Sequence, residues 1–133
     1  MSSRKFMLDT DTVSYVLRNH GNAAAQLTSH LPSEVCISVI TLSELRFGAE
    51  KRKSRKLHSL IDTFVTAVEP LPFDAAAAAA FGRVRAGLES KGRPIGLLDA
   101  LIASHALSLD VALVTNNARH FSGVPGLRTA NWS

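Results

Sequence analysis

The feature that most limits how this chain can fold is a repeated alternation of short β-type runs with longer helix-compatible segments. "KFMLD", "EVCISVI", "AVEPLPF", "ALVTN" and "LRTAN" (residues 5–9, 34–40, 67–73, 112–116 and 127–131) read as strands. Pro70 and Pro72 confine the third run to an edge or a strand end, because proline cannot donate to a ladder. Helical spacing marks residues 12–18, 23–30 and 41–50, the last with Leu42, Leu45 and Ala49 on one face. Leu57, Leu60, Ile61, Phe64 and Val65 carry the next helix. Asp74 supplies an N-cap for residues 75–89, whose alanine-rich start permits close packing. "ESKGRPIG" is a loop, and residues 97–109 form another helix. This alternation implies an α/β fold: a mainly parallel central sheet of about four or five strands with helices on both faces.

At 133 residues, 46% of them hydrophobic, the chain has room for one domain, residues 1–133, and no visible repeat or linker divides it. The single cysteine, Cys36, has no intrachain partner and lies in an apolar run, which reads as a core thiol in a reducing cytoplasm. No apolar run approaches the ~20 residues of a membrane span, and the basic start "MSSRK" leads into an apolar stretch that stops at Asp9. A soluble, cytoplasmic protein without a membrane partner is expected. The net charge of +4 leans towards polyanionic partners. Lys51, Arg52, Lys53, Arg55 and Lys56 fall within "KRKSRK", which is either a solvated helix face or a surface that steers a phosphate backbone.

In an open α/β sheet the site lies beyond the carboxyl ends of the strands. Four distant polar positions map there: Asp9 ending the first strand, Glu44 in the helix after the second, Asp99 in the first turn after "GRPIG", and Asn117 in "TNN" after "ALV". Each acid also has a structural explanation. Asp11 can cap the helix beginning at Thr12, Thr41 to Glu44 matches a capping box, and Asp99 suits a helix N-terminus. Asp9 is harder to explain that way, because it follows Phe6, Met7 and Leu8 into the sheet edge. Carboxylates crowded at one edge repel unless a cation neutralises them. Oxygen donors without Cys or His at zinc spacing point to Mg²⁺, with Mn²⁺ as a substitute. Such an ion activates water and stabilises charge on a phosphoryl group.

Two families share "FMLDTDTV". Locally it resembles the first motif of haloacid-dehalogenase-like phosphatases, with Asp9 as nucleophile and Asp11 as acid. That family requires a later Lys and an acidic pair, and after Asn117 this chain contains no Lys, Asp or Glu. Along its whole length, "FMLDTDTVSYVLR", "ISVITLSELRFGAEK", "RPIGLLDALIASHAL" and "LVTNNARHFSGVPGLRTANW" resemble PIN-domain ribonucleases, specifically the VapC-type toxins of toxin–antitoxin pairs. The resemblance implies a PIN-like α/β/α sandwich and a Mg²⁺-dependent site that hydrolyses RNA phosphodiesters, leaving a 3′-hydroxyl and a 5′-phosphate. It assigns the metal-site acids to Asp9, Glu44 and Asp99. Asp9 and Asp99 would bind the ion directly, with Glu44 either binding it through water or assisting the attacking water, and Asn117 orienting that shell. Asn117 occupies a position where many members carry a fourth acid, so Asp11 is either replacement charge or a helix cap. Thr115 and Asn116 either hydrogen-bond at the rim or organise the turn.

His105 reads as packing, His120 receives no catalytic role, and Trp132 reads as packing. Arg46 and the basic run would hold RNA; by resemblance the substrate is tRNA, with the anticodon loop of initiator tRNA as the specific expectation. The same resemblance implies a homodimer and a cognate VapB-type antitoxin whose C-terminal segment lies in the groove. A catalytically silent RNA-binding module is the other reading.

Overall fold

Every strand of this chain pairs in parallel, as buried apolar runs joined by helical crossovers require. In the computed structural model, which describes residues 4–133, the strands are β1 (Phe6–Leu8), β2 (Val35–Ser38), β3 (Glu69–Leu71), β4 (Ala112–Val114) and β5 (Thr129–Ala130). Their order across the sheet is β3-β2-β1-β4-β5. Met7 sits opposite Cys36 on one side and Leu113 on the other, and Leu8 opposite Ile37 and Val114. The expected sheet is therefore present, wholly rather than mainly parallel. Pro70 lies in the edge strand β3, where its missing N–H leaves no central ladder broken.

The pleat divides the core between the two faces. Leu8, Val35, Ile37 and Val114 point to one side, where they meet Val13, Leu45, Ile61 and Phe64. Met7, Cys36 and Leu113 point to the other and meet Ile102, Ala103, Ala106 and Phe121. The first layer holds α1 (Thr10–Leu17), α2 (Ala23–Thr28), α3 (Val39–Lys51) and α4 (Arg55–Ala67); the second holds α5 (Ala75–Ser90) and α6 (Leu97–Leu109). Leu8 and Ile37 are wholly buried, so truncating either to alanine should cost about 2–5 kcal/mol. In α5, Asp74 accepts from the Ala77 N–H at 3.0 Å as the expected cap. Ala77, Ala80, Val84 and Leu88 form its buried stripe. Trp132 packs edge-on against Phe6 and stacks on His30, with ring centroids 5.2 and 4.9 Å away.

Two helix starts differ from the sequence expectation. α1 begins at Thr10, and its N-cap is Asp9, not Asp11. α3 begins at Val39 rather than Thr41, because the Ser38 hydroxyl accepts from the Ile40 N–H at 3.0 Å and ends β2 there. Val39 and Ile40 are β-branched and read as strand, but the cap turns them into the first helical turn. The capping box expected of Thr41 and Glu44 is consequently absent: Thr41 is buried inside α3, and Glu44 is free of that duty.

Candidate active site

The strand order reverses between β1 and β4, which opens a crevice at their carboxyl ends. Asp9 ends β1 there, and its N–H donates to the Val114 carbonyl at 3.0 Å. Its side chain is 8% exposed. One carboxylate oxygen accepts from the Thr12 N–H at 2.8 Å. The Thr115 hydroxyl, at the end of β4, also bonds this carboxylate. Burial holds the Asp9 pKa above the usual carboxylate value, against the hydrogen bonds from Thr115 and Thr12, and the Asp11 charge pushes the same way as burial.

Glu44 comes from the second turn of α3 and is half-buried. The Thr10 hydroxyl donates to its Oε1 at 2.5 Å. Burial raises its pKa most; Thr10 lowers it, and Asp99, Asp11 and Asp9 each raise it. Glu44 thus feels the other three acids together, so the fold has brought residues 9, 11, 44 and 99 into one field. Asp99 stands in the first turn of α6, where its Oδ2 lies 2.9 Å from His120 Nε2. An ionised carboxylate only accepts, so Nε2 carries the proton in that bond.

The "TNN" residues divide their roles. Thr115 is buried; its Oγ1 accepts from the Asn117 N–H at 3.0 Å while its hydroxyl serves Asp9. It therefore both organises the turn and touches the site. Asn117 is exposed at the rim, and Asn116 donates to the Tyr15 hydroxyl at 2.9 Å, away from the acids. Asp11 lies in the first turn of α1, exposed and favoured by the helix dipole, with its charge directed at Asp9 and Glu44.

The donor set fits a hard divalent cation. It is oxygen-rich, self-repelling, and partly withdrawn from water, and Mg²⁺ characteristically takes one or two carboxylates while keeping several waters. Among the described residues, no three His, Cys, Asp or Glu side chains stand close enough together to hold a metal ion as they are, so the acids share a field without forming a ligand cage.

Two grooves flank the acids. One, of about 320 Å³, is lined by Thr10, Asp11, Arg18, Glu44, Arg52 and Leu57. The other, of about 330 Å³, is lined by Arg93, Pro94, Arg119, His120 and Gly123. Of the expected RNA-holding residues, Arg52 reaches the first groove. Lys51, Lys53, Arg55 and Lys56 are exposed around the α3–α4 turn. Arg46 is engaged elsewhere, bonded to Asp62 and to His58 at 3.0 Å. Sequence reading missed Thr10 and His120. Thr10 is the residue next to Asp9, but nothing local says that its partner lies 34 positions away. His120 lies in the expected loop, yet its bond to Asp99 exists only in the fold.

The PIN domain family pattern matches residues 6–127. This chain belongs to the PIN-domain family. A tRNA(fMet)-specific endonuclease VapC from Shigella flexneri is 42% identical to this PIN domain over 130 residues, covering 97% of this chain and 98% of its own. In a crystal structure of DNA-bound VapBC from Salmonella typhimurium, one chain is 39% identical and superposes with a TM-score of 0.91. The match covers 98% of this chain and 99% of that one. A chain of VapBC2 from Rickettsia felis, bound to a promoter DNA fragment, is 35% identical with a TM-score of 0.86, covering 96% and 98%. The parallel sheet between two helical layers is thus the α/β/α sandwich of a PIN domain, and the phosphatase alternative is set aside by these matches.

Cys36 and His105 are core residues of this PIN domain. Burial pushes the Cys36 thiol up to about 11, and the thiol lies 3.5 Å from the Phe6 carbonyl. His105 Nδ1 lies 2.8 Å from the Ser38 hydroxyl, and desolvation lowers the imidazole pKa. Among the described residues, no helix is long and apolar enough to cross a membrane.

Proposed function

We propose that this PIN domain is the toxin of a VapBC-type toxin–antitoxin pair, a divalent-metal-dependent endoribonuclease. The observation that carries the reading is the shared field of Asp9, Asp11, Glu44 and Asp99 at the switch point of a parallel sheet. An ordinary helix cap or surface acid has no reason to gather three others around it.

In this reading, Asp9, Asp99 and Glu44 would hold a Mg²⁺ ion, with Mn²⁺ as a substitute. The ion, when bound, supplies Lewis-acid activation of water and stabilises charge on the phosphoryl oxygens. Glu44, half-buried among the other acids and bonded by Thr10, would accept the proton of the attacking water. Thr10 fixes its position. Water would add to phosphorus in line, its proton passing to Glu44, while the bond to the 3′-oxygen breaks and that oxygen takes a proton from solvent, leaving a 3′-hydroxyl and a 5′-phosphate. Asn117, exposed at the rim, would help to orient the ion's waters.

The substrate we favour is tRNA, with the anticodon loop of initiator tRNA as the specific target. The 42% identity to a tRNA(fMet)-specific endonuclease VapC supports this choice. A VapB-type antitoxin is the partner that fits, given the likeness to chains crystallised in VapBC complexes. Its basic C-terminal segment would compete for the acids. The toxin would act in the cytoplasm as a homodimer.

The test is incubation of purified protein with total tRNA in Mg²⁺ or EDTA, beside Asp9→Asn and Asp99→Asn, followed by sequencing of the cut ends. Cleavage in Mg²⁺ alone, lost in both variants, is expected. Cleavage persisting in EDTA or in both variants would sink the metal–carboxylate mechanism.

A further inference from the structure

The acidic cluster poses a problem for a phosphodiester substrate: it repels the polyanion that it must receive. Cations have to hold the backbone on either side of it. Arg52 and the exposed basic residues at the α3–α4 turn lie on one flank. On another flank, the groove lined by His120, the partner of Asp99, contains two arginines, Arg93 and Arg119.

We propose that Arg93 and Arg119 form a subsite for a non-scissile phosphate of the RNA backbone, in the groove that adjoins Asp99. Both side chains are exposed, and neither has an acidic partner among the described residues. By contrast Arg4, Arg46, Arg85 and Arg128 are each spent on a carboxylate. The planar guanidinium presents a fork of donors that matches phosphate oxygens, so two arginines lining one groove suit a phosphate rather than a neutral ligand. Gly123 keeps the groove open at this point. A Cβ there would stand 3.9 Å from Arg93 Cζ and 3.3 Å from Leu88 Cδ2.

His120 links this groove to the chemistry. Its ring lines the groove, bonds Asp99 at 2.9 Å, and packs edge-on against buried Phe121 with centroids 5.1 Å apart. The groove that holds both arginines is thus joined to Asp99 through one hydrogen-bonded side chain. RNA would run from the Arg52 groove across the acids to Arg93 and Arg119.

This subsite rests on the ribonuclease reading, and its test separates the two. Arg93→Gln, Arg119→Gln and the double variant are compared with wild type and with Arg128→Gln, whose guanidinium is already paired to Asp110. Cleavage of tRNA is followed in Mg²⁺, and binding of the same RNA is titrated by anisotropy in EDTA at several salt concentrations. Removing charge-assisted contacts made equally in ground and transition states should raise KM roughly ten- to hundredfold in the double variant with kcat little changed. The slope of log affinity against log salt should fall by about 0.7, as for one phosphate of a single strand. Thermal unfolding of the variants should match wild type, since both side chains are exposed. A double variant with wild-type KM and salt slope would overturn the subsite while leaving the nuclease intact, as would equal losses in Arg128→Gln. Wild-type protein that neither binds nor cuts tRNA would overturn the ribonuclease reading and the subsite with it.

Discussion

Asp9 holds two jobs in this fold, and a pair of substitutions separates them. As N-cap of α1, one of its oxygens accepts from the buried Thr12 N–H at 2.8 Å; as a buried carboxylate it carries charge against desolvation and against Asp11. Asp9→Asn removes the charge and keeps an oxygen where the cap needs it, since Asn caps about as well as Asp. Asp9→Ala removes both. Loss of a cap costs about 1–2 kcal/mol, more where the orphaned N–H is buried. For a domain of this size that is a difference of roughly 4–8 °C in unfolding midpoint between the two variants. Neither variant should cleave RNA. In EDTA, Asp9→Asn should be at least as stable as wild type, because the charge it removes is one the fold strains to bury. Calorimetry in EDTA and a tRNA cleavage assay in Mg²⁺ read the two properties separately. Equal midpoints for Asn and Ala would refute the capping role, and full cleavage by Asp9→Asn would refute the metal-ligand role.

Three further outcomes follow from the same geometry. Mg²⁺ or Mn²⁺ at a hundred times its Kd should stabilise the wild-type protein by about 2.7 kcal/mol, and Asp9→Asn should lose most of that gain; equal stabilisation of both in a thermal titration would place the ion elsewhere. Asp9 and Glu44 have folded-state pKa values above their ordinary ones, so their contribution to stability is fully present below the unfolded values and is lost as pH rises through the raised values. Urea midpoints in EDTA should therefore show Asp9→Asn with Glu44→Gln gaining on wild type as pH rises through the acid range towards neutrality, and a gap that narrows instead would reverse the assigned sign. Cys36 is wholly buried with its thiol pushed up to about 11, so folded protein at pH 7 should resist iodoacetamide while urea-unfolded protein reacts; fast labelling of the native state by mass spectrometry would contradict the packing.

Much of the architecture was legible because its signals are local. The apolar runs around Met7, Cys36 and Leu113 announce buried parallel strands by composition, and Asp74 announces α5 by its position before six alanines. Asp9 stood out because a carboxylate closing an apolar strand must be partly buried at the sheet edge; that it also caps α1 was not legible. The boundaries of α1 and α3 were less legible. A cap is a hydrogen bond between one side chain and one N–H, and Asp9, Thr10, Asp11 and Thr12 offer several such bonds. Ser38 likewise decided the start of α3 against the strand preference of Val39 and Ile40.

By itself, then, the sequence determined the class of fold and the end of the sheet at which polar residues gather, with Asp9, Glu44 and Asp99 as the acids expected there, since strand order along the chain and side-chain periodicity need no partner to be read. Only the tertiary structure decided that β1 and β4 are neighbours across the switch point, that Thr10 holds Glu44, and that His120 reaches Asp99. It also decided that Arg46 is tied to Asp62 while Arg93 and Arg119 stay free of acids among the described residues. Each of the contacts among these joins residues more than ten positions apart. Its energy depends on distance and burial after the layers close, and no local pattern of side chains encodes either.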